Sequence, residues 1–241
     1  MTRTGLLVAL VIAAIVGLVF GLYPRLDLRL AALFYEASAS RWMSTYSFEF
    51  WSFLRRAVMW IVAIVAAPAV VALVLNPLFP NARWLMPTRK ALFLAMTLAL
   101  GPGLVANVIL KDNWNRPRPG DVVEFGGREN FVAWWDPRGT CNKNCSFIAG
   151  EPSGAFWTLA PAALAPPQWR ALAYGAALGF GAAAGLLRMV FGAHFFSDVV
   201  FSGVLIFLVV WIVYGLLFRW RLPWQTAGTK PSAMSKPGPQ A

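Results

Sequence analysis

The sequence predicts an all-α, polytopic membrane protein built as a bundle of six transmembrane helices. Of its 241 residues, 59% are hydrophobic and 13% are charged, whereas a soluble domain has about 45–50% apolar and about 25% charged residues. The apolar residues also lie in long runs without charges, several of them close to the about 20 residues that a membrane-spanning helix needs. Composition and run length therefore favour the same class of protein.

Each apolar run has an end or an interruption that marks it as a separate helix. The first, 5–23, carries no charge and lacks the small-residue cleavage site of a signal peptide. The second stops at Pro77, the third contains a kink at Pro102, and the short fourth stops at Pro166. The fifth is rich in Gly and Ala, which let helices approach closely. The six predicted spans are 5–23, 57–76, 91–110, 152–165, 171–187 and 195–218.

The composition also excludes other classes of protein. A disordered chain lacks the apolar residues found here, and a disulfide-rich secreted scaffold needs more than two cysteines. The formal net charge of +11 would suit nucleic acid only if the bases formed a solvated face, but they lie between apolar runs. We therefore predict membrane lipids as partners and no nucleic acid. Nothing in the sequence indicates an oligomeric state.

Basic residues are distributed unevenly among the connections, and this predicts the orientation. Both termini and the 77–90 and 166–170 connections carry Arg or Lys and no acid, which is the pattern of cytoplasmic segments. The 24–56 and 111–151 connections and the 188–194 turn then lie on the opposite side. We predict a multi-pass protein of a bacterial inner membrane, with both termini cytoplasmic and these three connections facing the periplasm.

Shorter features complete the predicted organisation. The 24–56 connection mixes apolar and charged residues, so we expect it to include an amphipathic helix at the membrane interface. A single membrane domain, 1–224, precedes a Pro-, Ser-, Gly- and Lys-rich tail, 225–241, which is predicted to be disordered and cytoplasmic. Cys141 and Cys145 are expected to form a disulfide in an oxidising periplasm. The alternatives are free thiols or a metal site, and Cys-x3-Cys supplies too few ligands for the latter.

Three polar segments lie at the non-cytoplasmic ends of the predicted spans, namely 111–119, 145–154 and 188–198. Polar residues so close to a membrane are costly and therefore indicate function. Because span ends converge in a helical bundle, we expect one pocket in which several cations bind a phosphate group. The free N–H groups of a helix beginning near Gly150 would add to this anion site. The expected cations are Lys111, Arg116, Arg118 and Arg188.

His194 is the single histidine and the candidate nucleophile. It stands four residues before Asp198, so on a helix the two share a face. Asp198 could then accept a hydrogen bond from one ring nitrogen and leave the other free to attack. A lone histidine at a membrane interface is usually structural, but the neighbouring Arg188 and the two other basic segments favour the catalytic interpretation.

Two of these patterns resemble signatures of a known family. Lys111-x6-Arg118-Pro119 and Arg188-x5-His194-x3-Asp198 are similar, in this order, to the first and third signatures of the type 2 phosphatidic acid phosphatase superfamily. Its membrane members are six-helix lipid phosphatases, and they share their fold with vanadium haloperoxidases. The 26–35 segment also looks like the family's first extracytoplasmic loop, so the resemblance covers nearly the whole chain.

The resemblance implies a mechanism and a set of site residues. It implies that Lys111, Arg118 and Arg188 bind phosphate, that His194 attacks phosphorus to form a phosphohistidine, and that Asp198 orients His194. Water then releases the phosphate, and neither a metal nor another cofactor is needed.

The sequence departs from the family pattern at two places. The third signature begins with Leu187 where the family has serine, and the middle signature, Pro-Ser-Gly-His, has no histidine here. In one register Ala155 replaces that histidine, as a natural loss or an engineered inactivation. In the other Glu151 replaces it and acts as the general acid. The Glu151 register is favoured because it keeps a proton donor and leaves the longer fourth span, 152–165. The alternative role for Glu151 is to complement a helix N-terminus.

The leading functional prediction is an integral membrane phosphatase that acts on a lipid phosphate monoester or diphosphate at the periplasmic face. Family substrates include phosphatidylglycerol phosphate, phosphatidic acid, isoprenyl diphosphate and the glucosamine phosphate of lipid A. The length and expected site look like a lipid A 1-phosphatase, although no residue discriminates among these substrates. The alternatives are a lipid phosphotransferase and a catalytically disabled, lipid-binding member that lacks the second histidine.

Overall fold

Long apolar helices dominate the computed structural model, which describes residues 1–220. Five helices in this range are long and apolar enough to cross a membrane, and the all-α prediction is confirmed. The predicted tail, 225–241, lies outside the described residues. The five helices are α1 (Arg3–Leu22), α3 (Phe48–Leu75), α4 (Thr88–Leu98, continued as a π-helix over Ala99–Leu110), α7 (Pro167–Val190) and α8 (Phe196–Tyr214, continued as a π-helix over Gly215–Arg219).

The predicted fourth span, 152–165, is two short helices, α5 (Gly150–Phe156) and α6 (Leu159–Ala163). The break lies ahead of Pro161, which has no N–H to donate to the carbonyl of Trp157. Trp157 O instead accepts a hydrogen bond from Ala160 N–H at 2.8 Å, in a tighter turn.

The count of six spanning helices is not confirmed, because neither α5 nor α6 is long enough to cross a bilayer alone. The chain nevertheless passes between the two ends of the bundle through this pair. Gly150 lies beside Lys111 at one end of the α4 and π-helix segment. Leu164 lines a cavity with Lys90 near the other end. Both short helices pack against α7 and are buried.

The irregularity predicted at Pro102 takes the form of the π-helix that continues α4. A proline within a helix removes one backbone donor, and π-bulges commonly form where the regular ladder is interrupted. The carbonyl of Pro102 accepts a hydrogen bond from the Asn107 side-chain amide at 2.7 Å. This segment ends at Leu110, so it sets where Lys111 emerges from the bundle.

The connection between α1 and α3 contains the predicted extra helix, α2 (Arg25–Ala32). A two-stranded antiparallel hairpin follows, with β1 (Tyr35–Glu36) paired to β2 (Arg41–Trp42). Tyr35, Trp42 and Phe125 pack ring against ring, with centroids 5.1–5.2 Å apart. This aromatic cluster joins the hairpin to the loop after α4. Four 3-10 turns complete the connections: Ala37–Ala39, Met43–Thr45, Pro119–Asp121 and Val123–Phe125.

The interior of the bundle is apolar around Trp157, which is fully buried. Its indole N–H lies 3.0 Å from Thr97 Oγ1 and 3.2 Å from Leu94 O, so the one polar atom of this side chain is satisfied. Large apolar side chains on α1 and α3, such as Leu18 and Ile64, are exposed. That pattern is typical of helices whose outer faces contact lipid.

Candidate active site

A disulfide holds the loop before α5 against the segment that follows α4. Cys141 and Cys145 form it, as predicted, with Cα atoms 5.8 Å apart. Cys145 N–H donates to Lys111 O at 2.9 Å. Within the closed loop, Asn144 O accepts hydrogen bonds from Nε and Nη2 of Arg118 at 3.1 and 2.7 Å. The loop therefore fixes the direction of the Arg118 guanidinium.

Four basic side chains and one acid form what we call the cation cluster, defined as Arg55, Lys111, Arg118, Arg188 and Glu151. Arg55 reaches from α3 and binds the Glu151 carboxylate through Nε and Nη2, at distances of 2.6–3.0 Å. Arg188, from the end of α7, places Nε 3.6 Å from Glu151 Oε2. The structure thus brings together Lys111, Arg118, Arg188 and Glu151 as predicted, and it adds Arg55.

Outside the spanning helices, Lys111 is the member of the cation cluster whose pKa is shifted furthest from its ordinary value. Burial, followed by repulsion from Arg118 and Arg188, lowers the pKa of Lys111 to about 8. Burial also lowers the pKa of Arg118. A β-carbon placed on Gly150 would lie 3.0 Å from Lys111 Nζ, so this glycine leaves the room that the ammonium group occupies. Gly150 therefore lines the cluster, and its predicted role in binding phosphate stays a prediction.

His194 is buried, with 1% of its surface exposed. Its Nδ1 lies 2.8 Å from the carbonyl oxygen of Ser146. A carbonyl only accepts hydrogen bonds, so Nδ1 carries the proton and Nε2 keeps a free lone pair. Burial, followed by the positive charges of Arg188, Lys111 and Arg118, lowers the pKa of His194 well below its usual value. The imidazole is therefore neutral at neutral pH, the form in which Nε2 can attack.

A tight turn between α7 and α8 presents His194. Gly192 has a φ of +62°, in the left-handed region that favours glycine. The ring of Trp42 lies so close that a β-carbon on Gly192 would be 2.3 Å from it. Gly192 O also accepts a hydrogen bond from Gly120 N–H at 2.8 Å. The hairpin and the loop after α4 therefore both support this turn.

A second group of polar residues lies behind His194, which we call the buried network: Asp27, Arg116, Ser146, Ser197 and Asp198. Arg116 donates from Nη2 to Asp27 at 2.8 Å and from Nη1 to Asp198 at 2.5 Å. Ser197 Oγ donates to Asp27 at 2.5 Å, and Ser146 Oγ donates to Asp198 at the same distance. The network therefore links α2 to the start of α8.

The prediction that Arg116 joins the phosphate pocket is wrong. Its side chain is fully buried, and its guanidinium is occupied by the two carboxylates of Asp27 and Asp198. The two buried carboxylates compensate the charge of the guanidinium, so Arg116 has a structural role and does not bind an incoming anion. Spacing along the sequence could not separate it from Arg118, which stands two residues later.

The predicted direct hydrogen bond between Asp198 and His194 is replaced by an indirect connection. Asp198 accepts from Ser146 Oγ at 2.5 Å and from Phe195 N–H at 2.9 Å. Ser146 in turn offers its carbonyl oxygen to His194. The spacing of four residues does not bring the two side chains together because α8 begins at Phe196, so His194 precedes the helix.

Of the two registers for the missing histidine, the structure places Glu151 in the cation cluster. Ala155 lies one turn further along α5 and is fully buried. The carboxylate of Glu151 is 21% exposed and paired with Arg55. Its role as a general acid stays a prediction.

Sequence reasoning missed Arg55 and Asp27. Arg55 belongs to a pair of arginines directly before an apolar run, a pattern that equally indicates a membrane-surface anchor. Asp27 lies between leucines in the predicted amphipathic helix and looked like part of its polar face. It is instead 1% exposed, which only the packing of α2 against α8 could reveal.

Comparison with known proteins is consistent with this arrangement. Residues 90–222 match the PAP2 superfamily. A lipid A 4′-phosphatase of Francisella tularensis subsp. novicida (strain U112) is 37% identical over 224 residues, covering 91% of this chain and 98% of the relative. No solved structure matches the chain.

Two shorter matches carry the same name. A lipid A 4′-phosphatase of Rhizobium leguminosarum is 40% identical over 107 residues, covering 43% of this chain and 45% of the relative. A lipid A 4′-phosphatase of Rhizobium etli is 38% identical over 102 residues, covering 42% of this chain and 40% of the relative. The names correct the expected likeness to a 1-phosphatase in one detail, the position of the phosphate on the relatives' substrate.

Proposed function

Because the chain belongs to the PAP2 superfamily, as its two signatures predicted, we propose that this membrane lipid phosphatase removes the 4′-phosphate of lipid A by hydrolysis. One observation carries the catalytic part of the proposal. A neutral, buried His194 has its Nδ1 proton directed to a carbonyl and is close enough to three cations for them to lower its pKa. The position of the phosphate is taken from the names of the relatives.

In the proposed first step, the cation cluster binds the phosphate group and His194 attacks it. Lys111, Arg118 and Arg188 neutralise the phosphoryl oxygens, which removes the repulsion that slows attack on a dianion. The lone pair of Nε2 forms a bond to phosphorus while the bond to the sugar oxygen breaks. The product of this step is a phosphohistidine.

The buried network keeps His194 in place during this attack. Its Nδ1–H donates to the carbonyl oxygen of Ser146, and the Ser146 hydroxyl donates in turn to Asp198. Asp198 is therefore proposed as a positioning residue that acts through Ser146. Fixing the imidazole in this way lowers the entropy cost of reaching the attacking geometry.

Glu151 is the proposed general acid. Once protonated, it would give its proton to the departing sugar oxygen and then take one from the water that attacks the phosphohistidine. Phosphate is released and His194 returns to its neutral form. Arg55 binds the Glu151 carboxylate, so this ion pair has to open before Glu151 acts as an acid.

The proposed location is a bacterial inner membrane, with the site at the periplasmic face and both termini in the cytoplasm. The disulfide beside the site supports an oxidising compartment on that side. Arg83, Arg89 and Lys90 precede or begin α4 at the opposite end of the bundle, and basic connections favour the cytoplasmic side. A lipid headgroup could then reach the site while its acyl chains stay in the bilayer.

The test is phosphate release by the purified protein from bis-phosphorylated lipid A in detergent. We expect free phosphate and, by mass spectrometry, a product that keeps its 1-phosphate, with rates unchanged by a chelator. His194→Ala should abolish both release and an acid-quenched phosphoenzyme. Release from the 1-position would contradict the substrate assignment, transfer to added lipid would indicate a phosphotransferase, and no release would indicate a disabled member.

A further inference from the structure

Arg55 is the member of the cation cluster that belongs to none of the family signatures. It lies on α3, and its side chain is 48% exposed. It nevertheless makes the most complete ion pair of the cluster, with three N–O distances of 2.6–3.0 Å to Glu151. Partly exposed ion pairs of this kind contribute little to stability. A structural role alone therefore does not account for this contact.

The position of Glu151 is that of an anion held by the cluster. Both of its oxygens accept hydrogen bonds from Arg55, and Oε2 also faces Arg188. The Arg188 side chain is 8% exposed, and its Nε has no hydrogen-bond partner within residues 1–220. Glu151 Oε2, at 3.6 Å, is too distant to be one. A buried guanidinium N–H without a partner needs an acceptor that residues 1–220 do not supply.

We propose that Arg55 is a further phosphate-binding residue, and that Glu151 holds it in the site until a substrate phosphate replaces the carboxylate. A phosphate group presents three terminal oxygens and up to two negative charges, so it can satisfy Arg55 and Arg188 together. The planar fork of an arginine pairs bidentately with carboxylate and with phosphate. Arg55 thus exchanges one partner for an equivalent one. This inference rests on the proposed phosphatase function.

The exchange has a consequence for Glu151. When Arg55 leaves it, the carboxylate lies beside a phosphate and repulsion between the two anions favours uptake of a proton from water. The residue is then a neutral acid next to the leaving group. Binding of the substrate would in this way produce the proton donor that the first step needs, when the bond to the sugar oxygen breaks.

The experiment measures binding of inorganic phosphate by calorimetry to the full-length protein in detergent, without turnover. Arg55→Gln should weaken binding about tenfold or more, since hydrogen bonds to charged groups are lost. Arg56→Gln is the matched control, because Arg56 is the adjacent, exposed arginine on the same helix; it should change binding less than about twofold. Arg55→Lys, which keeps the charge but not the fork, should fall between them.

A second pair of variants separates phosphate contact from restraint of Glu151. Glu151→Gln should tighten phosphate binding because the competing carboxylate is removed. In that background Arg55→Gln should still weaken binding about tenfold. If the effect of Arg55→Gln disappears there, or equals that of Arg56→Gln, Arg55 only restrains Glu151 and the inference is wrong.

The inference and the proposed function can fail separately. Phosphate binding that depends on Arg55, without phosphate release from lipid A, would leave the inference standing and remove the substrate assignment. If the protein releases phosphate from lipid A but the Arg55→Gln and Arg56→Gln variants bind phosphate equally, the proposed function stands and the inference about Arg55 is wrong. Thermal unfolding of each variant identifies any that fails to fold, in which case Arg55→Lys carries the comparison.

Discussion

Two polar groups lie side by side at the same end of the bundle, and they differ in almost every physical respect. In the buried network one arginine, Arg116, lies between the carboxylates of Asp27 and Asp198, and all three side chains are at most 1% exposed. In the cation cluster four basic side chains surround one carboxylate, and Arg55 and Glu151 reach solvent. Yet both groups converge on His194, one through Ser146 and the other through its positive field.

The difference separates the positioning of a nucleophile from the capture of an anion. The buried network has partners of opposite charge in contact, so little is left to attract a ligand. The cation cluster keeps an excess of positive charge and a buried guanidinium N–H without a hydrogen-bond partner in residues 1–220. Preorganised charges of this kind stabilise an anionic transition state without further rearrangement. Substitutions in the two groups should therefore affect different measurements.

The largest effect is expected from Arg116→Met. It leaves two buried carboxylates without their cation, which should destabilise the fold by about 3–5 kcal/mol. Arg118→Met, two residues away, should weaken phosphate binding while the thermal unfolding temperature changes little. The two variants are compared by thermal unfolding and by phosphate calorimetry. Equal losses of stability would mean that the two groups are not physically distinct.

Asp27→Asn should have the next largest effect. The amide keeps the shape of the side chain but no longer accepts from Arg116 and Ser197 with a full charge, at a cost of about 1–3 kcal/mol. Because Asp27 acts on His194 only through the network, kcat should fall while KM is nearly unchanged. Glu124→Gln, at an exposed position of the loop after α4, serves as the control. A rise in KM without a change in kcat would mean that Asp27 does not act on His194 through the buried network.

Replacing both Cys141 and Cys145 by serine should have a smaller effect on stability. A disulfide that closes so short a loop contributes up to about 2 kcal/mol. Phosphate binding should weaken in addition, because the loop supplies the carbonyl of Asn144 to Arg118. A reductant should produce the same change in the natural protein and none in the double variant. Unchanged phosphate binding after reduction would show that Arg118 is held by other contacts.

The smallest expected effect is a pH dependence that originates at Lys111. Its pKa is lowered to about 8, so the group is charged below that pH and loses its charge as the pH rises through it. Phosphate binding should therefore weaken between about pH 7 and pH 9, by up to about tenfold. Lys111→Arg should move the decline to higher pH. An identical pH profile in both proteins would assign the decline to another group.

Much of the site could be predicted from the sequence because charges are costly beside a membrane. Lys111, Arg118, Arg188 and His194 stand at the ends of apolar runs, and any bundle of these runs brings such ends together. The disulfide could be predicted from two cysteines four residues apart. The five long helices follow from hydropathy alone, since every backbone polar group in lipid must be satisfied within the helix.

The assignment of each charged residue to one of the two polar groups depends on how the helices pack. Arg116 and Arg118 are equivalent in the sequence, but packing of α2 against α8 buries Asp27 where it reaches Arg116 and leaves Arg118 in the cluster. Arg55 meets Glu151 across 96 positions of the chain, a contact that no local pattern encodes. Hydropathy and residue spacing are local properties that can be read from the sequence. The burial of a side chain and its ion-pair partners depend on contacts between residues distant in sequence, so they could not be predicted.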